Sequence, residues 1–267
     1  MQYSTINNTN INVPRISFGT ASLHHLISRK KRNVLLETAL SLGITHFDTS
    51  PYYGHGLAEL DLGILLKGRR RDITISTKVG LYPPNKSSHY LFDIWTRKIM
   101  GKMNSKFSKP EVDWSLRRAT CSINASLKNL KTDYMDFLFL HEPDMSMIET
   151  EEFVNWIEKL KEQGKIRYGG LAGLPSLLEP WIMDNHPLSN VLQARDSDND
   201  REKIDSFLKI GCRPQFTYGY LSKISKSNPI KSTNVIMKNA LSRNRSGSII
   251  ISTRKVARLK ELTRLAQ

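Results

Sequence analysis

Gly43-Ile44-Thr45-His46-Phe47-Asp48-Thr49-Ser50-Pro51-Tyr52-Tyr53-Gly54-His55-Gly56-Leu57-Ala58-Glu59 is the stretch whose reading decides the rest of this chain. Residues 45–48 have the make-up of a short buried strand, 51–54 form a turn, and an amphipathic helix opens at Leu57. An acid, Asp48, and a phenol, Tyr53, five residues apart in one strand-to-helix loop can converge on one point. A free phenol has a pKa of about 10, so it serves proton transfer near neutrality only where a neighbouring cation lowers that value. The chain offers a cation. Ile73-Thr74-Ile75-Ser76-Thr77-Lys78 alternates as a strand and ends in Lys78, and Met135-Asp136-Phe137-Leu138-Phe139-Leu140-His141 is an apolar strand ending in His141.

Outward from this stretch, strand and helix alternate with little interruption. On the N-terminal side, residues 3–13 suit a β-hairpin and 15–20 a first strand, and 30–42 carry Val34, Leu35, Ala39 and Leu42 at helical spacing. Gly43 then closes that helix. On the C-terminal side, a helix over 57–66 leads into the strand ending at Lys78, after which the pattern breaks. Residues 81–110 read as a long irregular loop with Tyr90, Phe92 and Trp95; a loop of this length inside a compact domain points to function. Regularity returns with a helix over 111–130, the strand ending at His141, and a helix over 149–163 ended by Gly164. A strand over 166–171, a short helix after Pro175, a strand over 191–194 and a helix over 200–210 follow. A strand near 215–218, a helix around 235–241, a strand over 248–252 and a closing helix over 255–266 complete eight units. Eight strand–helix units with short apolar strands predict an α/β fold, a parallel (β/α)8 TIM barrel after an N-terminal hairpin, in one domain over 1–267. In such barrels the chemistry sits at the C-terminal ends of the strands, where Asp48, Lys78 and His141 fall, with Tyr53 just beyond.

Each of these four residues alone has a plain structural reading. Asp48 can cap a loop, Tyr53 can pack a turn, Lys78 can be a rim charge, and His141 a core histidine satisfied by backbone. Their joint placement at the ends of strands two, three and four is much harder to reach by chance. Together with the phrases GITHFDTSPYYG, STKVG, ASLKNLKTDYMDFLFLHEPD, LKEQGKIRYGGLA and SGSIIISTRKVARLKE, they resemble the aldo-keto reductases over nearly the whole chain. The resemblance makes Asp48, Tyr53, Lys78 and His141 a catalytic tetrad. Lys78 would lower the Tyr53 pKa, Asp48 would neutralise and aim Lys78, and His141 would polarise the substrate carbonyl. Hydride would come from a nicotinamide held without a Rossmann fold, and no GxGxxG follows any strand here.

The resemblance also implies a cofactor, NADP(H), and residues to hold it. Gln193 matches a carboxamide-binding position, and Tyr218, favoured over Phe216, matches the aromatic that stacks under the ring. Ser252, Thr253, Arg254 and Arg258 would hold a 2′-phosphate, the two arginines at i and i+4 on one helix face. The plain alternative is a solvated basic face. Departures are visible too: Ala172-Gly173 stands where the family has a Ser or Ser-Asn pair, Leu262 where it has an asparagine, and Ser252 where some members have a lysine. With a short connection after strand seven and an end directly after the last helix, an open cleft is expected. The function implied is an NADP(H)-dependent enzyme interconverting an aldehyde, ketone or sugar-like carbonyl and an alcohol. The alternative is a cofactor-binding regulatory subunit of low activity, like the relatives that resemble potassium-channel β subunits.

Composition narrows the partners. The chain has 267 residues, 39% of them hydrophobic, enough for one large core. Its N-terminus is polar, and no apolar run approaches the ~18 residues of a membrane span, so a cytoplasmic protein without a membrane partner is expected. Two cysteines, Cys121 and Cys212, supply neither a disulfide framework nor a metal site. The excess of 40 Lys plus Arg over 25 Asp plus Glu, +15, raises the question of nucleic acid. The charges are spread, however, with knots only at residues 29–32 and 67–71, and no binding motif accompanies them. A small carbonyl compound is the expected partner, with no nucleic acid.

Overall fold

A β-strand sends alternate residues to opposite faces, and in this molecule both faces are buried. The computed structural model describes residues 1–84, 110–221 and 233–266. Strands β1 (Tyr3–Thr5) and β2 (Asn12–Pro14) pair as an antiparallel hairpin. Then come β3 (Ile16–Gly19), β4 (His46–Asp48), β5 (Thr74–Val79), β6 (Leu81–Tyr82), β7 (Glu111–Val112) and β8 (Met135–His141). Strands β9 (Ile166–Gly173), β10 (Leu192–Arg195), β11 (Phe216–Tyr218) and β12 (Ser248–Ile251) complete the set. Eight of these, β3, β4, β5, β8, β9, β10, β11 and β12, close a barrel in which every neighbouring pair is parallel. A helix follows each barrel strand: Arg29–Ser41, Leu57–Leu65, Leu116–Leu130, Thr150–Glu162, Pro175–Met183, Arg201–Lys209, Thr233–Arg243 and Val256–Thr263. The TIM barrel with its N-terminal hairpin is thus the fold that the strand–helix alternation predicts.

Parity sorts the side chains. Along β8, Leu138 and Leu140 face the helices and join the large cluster between strands and helices, whereas Phe137 and Phe139 face the barrel interior. The hairpin plugs the N-terminal end of that interior: Ile6, Ile11 and Val13 pack in one cluster with Phe137, Phe139, Phe216 and Ile250. His46 belongs to the same layer, stacked on Phe216 at 4.8 Å and edge-on to Phe137 at 5.8 Å. The period of two then raises the next inward residues, Asp48 after His46, Lys78 after Ser76 and His141 after Phe139, to the open end.

Element bounds shift by a residue or more in several places. The helix predicted over 111–130 begins only at Leu116, because Glu111–Val112 pairs with Leu81–Tyr82 and Ser115 accepts a hydrogen bond from the Arg118 N–H to cap the helix. β9 runs two residues beyond 171: Ala172 pairs with His141 of β8 and Gln193 of β10, and Gly173 pairs with Ala194 of β10. The last helix opens at Val256 rather than 255, with Lys255 as its N-cap. Tyr90, Phe92 and Trp95 of the predicted long loop lie outside the described residues.

The buried His46 gives the barrel a pH signature. Burial first, and Lys78 second, lower its pKa from 6.5 to about 3. An unfolded chain therefore takes up a proton at this residue below pH 6.5 that the folded chain refuses until about pH 3. Stability from His46 is complete above that window and lost as pH falls through it, by up to ~1.4 kcal/mol per pH unit. Denaturant titrations from pH 7 to 4 should show the unfolding free energy of His46→Asn falling less steeply than that of the parent. Equal slopes would mean that His46 titrates alike in both states.

Candidate active site

Four inward residues meet at the open end of the barrel. Lys78 Nζ donates to Asp48 Oδ1 at 2.5 Å and to the Thr49 carbonyl at 2.9 Å, and both side chains are almost wholly buried. Asp48 also accepts from Ser76 Oγ at 2.9 Å, so neighbouring strands β4 and β5 share one polar knot. A buried carboxylate and ammonium are tolerable only in such company, since each alone would cost several kcal/mol of desolvation. Burial still lowers the Lys78 pKa, with Asp48, Glu142 and Glu59 opposing that trend.

Tyr53 reaches the site from the loop after β4. Gly54, His55 and Gly56 all have left-handed φ angles, 61°, 55° and 86°, which fold the turn back over the barrel mouth. The Tyr53 ring lies 5.2 Å from Lys78 Nζ, measured to its centroid, and stands edge-on to the His141 ring at 6.0 Å. Its pKa corrects the sequence expectation. Burial, then Asp48, then Tyr218, Glu142 and Tyr52 push the phenol well above 10. Burial and the neighbouring acids outweigh the Lys78 ammonium, which stands 5.2 Å from the ring centre. His141 is pushed the other way, well below 6.5, by burial and then by Lys78. It is a neutral imidazole whose Nδ1 has no hydrogen-bond partner.

These side chains line a cavity of about 390 Å³ together with Glu142, Ala172, Gln193, Tyr218 and Ser252. Gln193 is 3% exposed and its Oε1 has no partner, so a buried acceptor faces a space that a ligand donor can fill. Tyr218 ends β11 at the cavity wall and hydrogen-bonds Glu142. Ser252 reaches the cavity and bonds Ser22 Oγ at 2.7 Å. Thr253, Arg254 and Arg258 lie outside the residues lining it. Thr253 Oγ1 accepts from the Lys255 N–H at 3.2 Å, and Arg254 is exposed before the helix. Arg258 donates to Thr233 Oγ1 at 2.5 Å and to Glu261 at 3.3 Å. The helix starts at Val256, so Arg254 and Arg258 do not share a helical face as their spacing suggested. Leu262 is fully buried in the core. Glu142 was not singled out from the sequence, although a carboxylate directly after His141 was the available signal.

Comparison with known proteins places the barrel in a family. The model of the Aldo/keto reductase family matches residues 15–185. An L-galactose dehydrogenase of Arabidopsis thaliana is 30% identical over 199 residues, covering 72% of this chain and 54% of that protein. A D-threo-aldose 1-dehydrogenase of a Pseudomonas species is 30% identical over 178 residues, covering 61% of this chain and 51% of that protein. The matched part thus spans about half the length of these curated relatives. Among solved structures, a Bacillus halodurans aldo-keto reductase in its holo form superposes with a TM-score of 0.77 at 21% identity, covering 100% of this chain and 91% of that one.

The ion pair generates a stability prediction. Lys78→Met leaves Asp48 as a buried carboxylate without its cation, which should cost about 3–5 kcal/mol in denaturant unfolding. Adding Asp48→Asn removes the orphaned charge and should recover most of that loss. A double variant no more stable than the single one would show that Lys78 contributes through packing instead.

Proposed function

The chain belongs to the aldo/keto reductase family, and from that premise we propose that it is an NADP(H)-dependent oxidoreductase interconverting a carbonyl and an alcohol. The single observation that carries this reading is the convergence of a protonated phenol and a neutral imidazole on one cavity, beside an ammonium already fixed by its own carboxylate. In reduction, the overall change is carbonyl plus reduced cofactor plus a proton to alcohol plus oxidised cofactor. A bound nicotinamide supplies the hydride in that direction and takes it back in the other.

The chain's own residues do the rest. His141, neutral at working pH, donates an N–H to the substrate oxygen and polarises it without giving up a proton. Tyr53 gives the proton. An alkoxide is more basic than a phenolate, so a phenol held well above its ordinary pKa still delivers its proton as negative charge develops. The buried Lys78–Asp48 pair keeps a dipole next to the phenolate left behind, in a place where water does not screen it. Gln193 fits the cofactor through its unpartnered Oε1, an acceptor for a carboxamide N–H, and Tyr218 offers a ring at the same wall. Ser252 and Thr253 offer hydroxyls, and Arg254 and Arg258 guanidinium groups, for a 2′-phosphate at the rim. The two relatives are named for sugar substrates, which supports a polyhydroxylated, sugar-like carbonyl as the substrate class.

Tyr53→Phe should lower kcat by about 10²–10⁴ in a carbonyl reduction assay while NADPH affinity stays near that of the parent. Turnover close to the parent's would take the proton transfer away from Tyr53. A parent chain that binds NADPH yet turns over no aldehyde, ketone or sugar would favour the regulatory-subunit reading instead.

Cofactor preference is tested at the rim. Loss of a charge-assisted contact worth ~1.5–3 kcal/mol weakens binding about tenfold or more, so Arg254→Ala and Arg258→Ala should weaken NADPH far more than NADH. Isothermal titration of both nucleotides distinguishes this from a solvated basic face, for which the two would change equally.

A further inference from the structure

Among the described residues at and beside the cavity, the charges do not cancel. Lys78 is matched by Asp48 at 2.5 Å. Arg195, at the end of β10, is matched by Asp200 through bonds of 2.7 and 2.8 Å. Glu142 is left over. Its hydrogen-bond donors are neutral: the Leu174 N–H at 2.9 Å and the Tyr218 hydroxyl. The residue is also deliberately placed, for its φ is +53° and its own N–H bonds the Ala172 carbonyl at 2.7 Å, which turns it toward the end of β9. There Gly173 makes room, since a Cβ on that glycine would sit 3.0 Å from Glu142 Oε2.

We infer that Glu142 gives this cavity a negative wall that binds a cationic ring, the oxidised nicotinamide, in preference to its neutral reduced form, and so makes the bound reduced cofactor a stronger hydride donor. This rests on the nicotinamide-binding reading above. His141, Tyr53, Tyr218 and Tyr220, the other titratable groups besides the Lys78–Asp48 pair among the described residues lining the cavity, are neutral in the working range and do not offset the carboxylate. Burial raises the Glu142 pKa, and the Leu174 and Tyr218 bonds with the Arg195 and Lys78 charges oppose that rise. A single charge a few ångströms from a partly desolvated ring is worth about tenfold in affinity.

The test is the ratio of dissociation constants for NADP⁺ and NADPH, measured by titration at roughly pH 8, well above the ordinary carboxylate range. Glu142→Gln keeps the shape and removes the charge; it should weaken NADP⁺ about tenfold relative to NADPH. Glu142→Asp keeps the charge and should hold the parent ratio. An unchanged ratio in Glu142→Gln, or the same shift in both variants, overturns the inference. Failure of the parent chain to bind either nucleotide would overturn the nicotinamide reading itself, which is a different result from an unchanged ratio.

Discussion

The contact between Lys78 and Asp48 is the constraint on which the site depends. Two charges taken out of water at the end of a barrel must be held close and fully hydrogen-bonded, or desolvation exceeds their attraction. Here Ser76 and the Thr49 carbonyl complete the set, so the pair is fixed by the register of β4 against β5, Asp48 opposite Ser76. Burial first and Asp48 second keep Tyr53 protonated, and burial first and Lys78 second keep His141 uncharged.

Beneath the pair lies an aromatic floor. Phe137, Phe139, Phe216 and His46 fill the barrel interior, with the hairpin residues Ile6, Ile11 and Val13 closing the far end. This packing keeps water out of the barrel from below, so the polar groups above it act in a medium of low dielectric. It also explains why one histidine two residues before Asp48 is a core residue, while the one ending β8 faces a cavity. Both are buried and both are held neutral, but His46 bonds Thr74 and Ser76, whereas His141 Nδ1 has no partner.

Much of this was legible in the sequence because it depends on parity and on ends of strands. HFD, ISTK and FLFLH each place a polar residue two positions after an inward one, at the C-terminal end, and that pattern survives any shift of a residue or two in element boundaries. What was not legible depends on three-dimensional distance. A lysine near a phenol suggests a lowered pKa, but burial and the acids around Tyr53, which only the folded structure shows, raise it instead. The spacing of Arg254 and Arg258 suggested a shared helix face, yet the helix starts at Val256, two residues beyond Arg254. Glu111 and Val112 looked helical because their strand partner, Leu81–Tyr82, lies about thirty residues away in sequence.

The end of β9 shows how two positions in different strands come to form one feature. Ala172 and Gly173 are small, which taken alone removes hydrogen-bonding groups from the wall. The space they leave is filled from β8: Glu142 adopts a left-handed backbone, bonds Ala172 and Leu174, and sets its carboxylate where a side chain on residue 173 would stand. A Cβ at 173 would sit 3.0 Å from Glu142 Oε2 and force the carboxylate to shift, and an apolar residue at 142 would leave the Leu174 N–H and the Tyr218 hydroxyl without their acceptor. Neither position can therefore change alone without loss. The glycine that reads as a missing group in the sequence is, in the folded chain, the condition for an acid at the same wall.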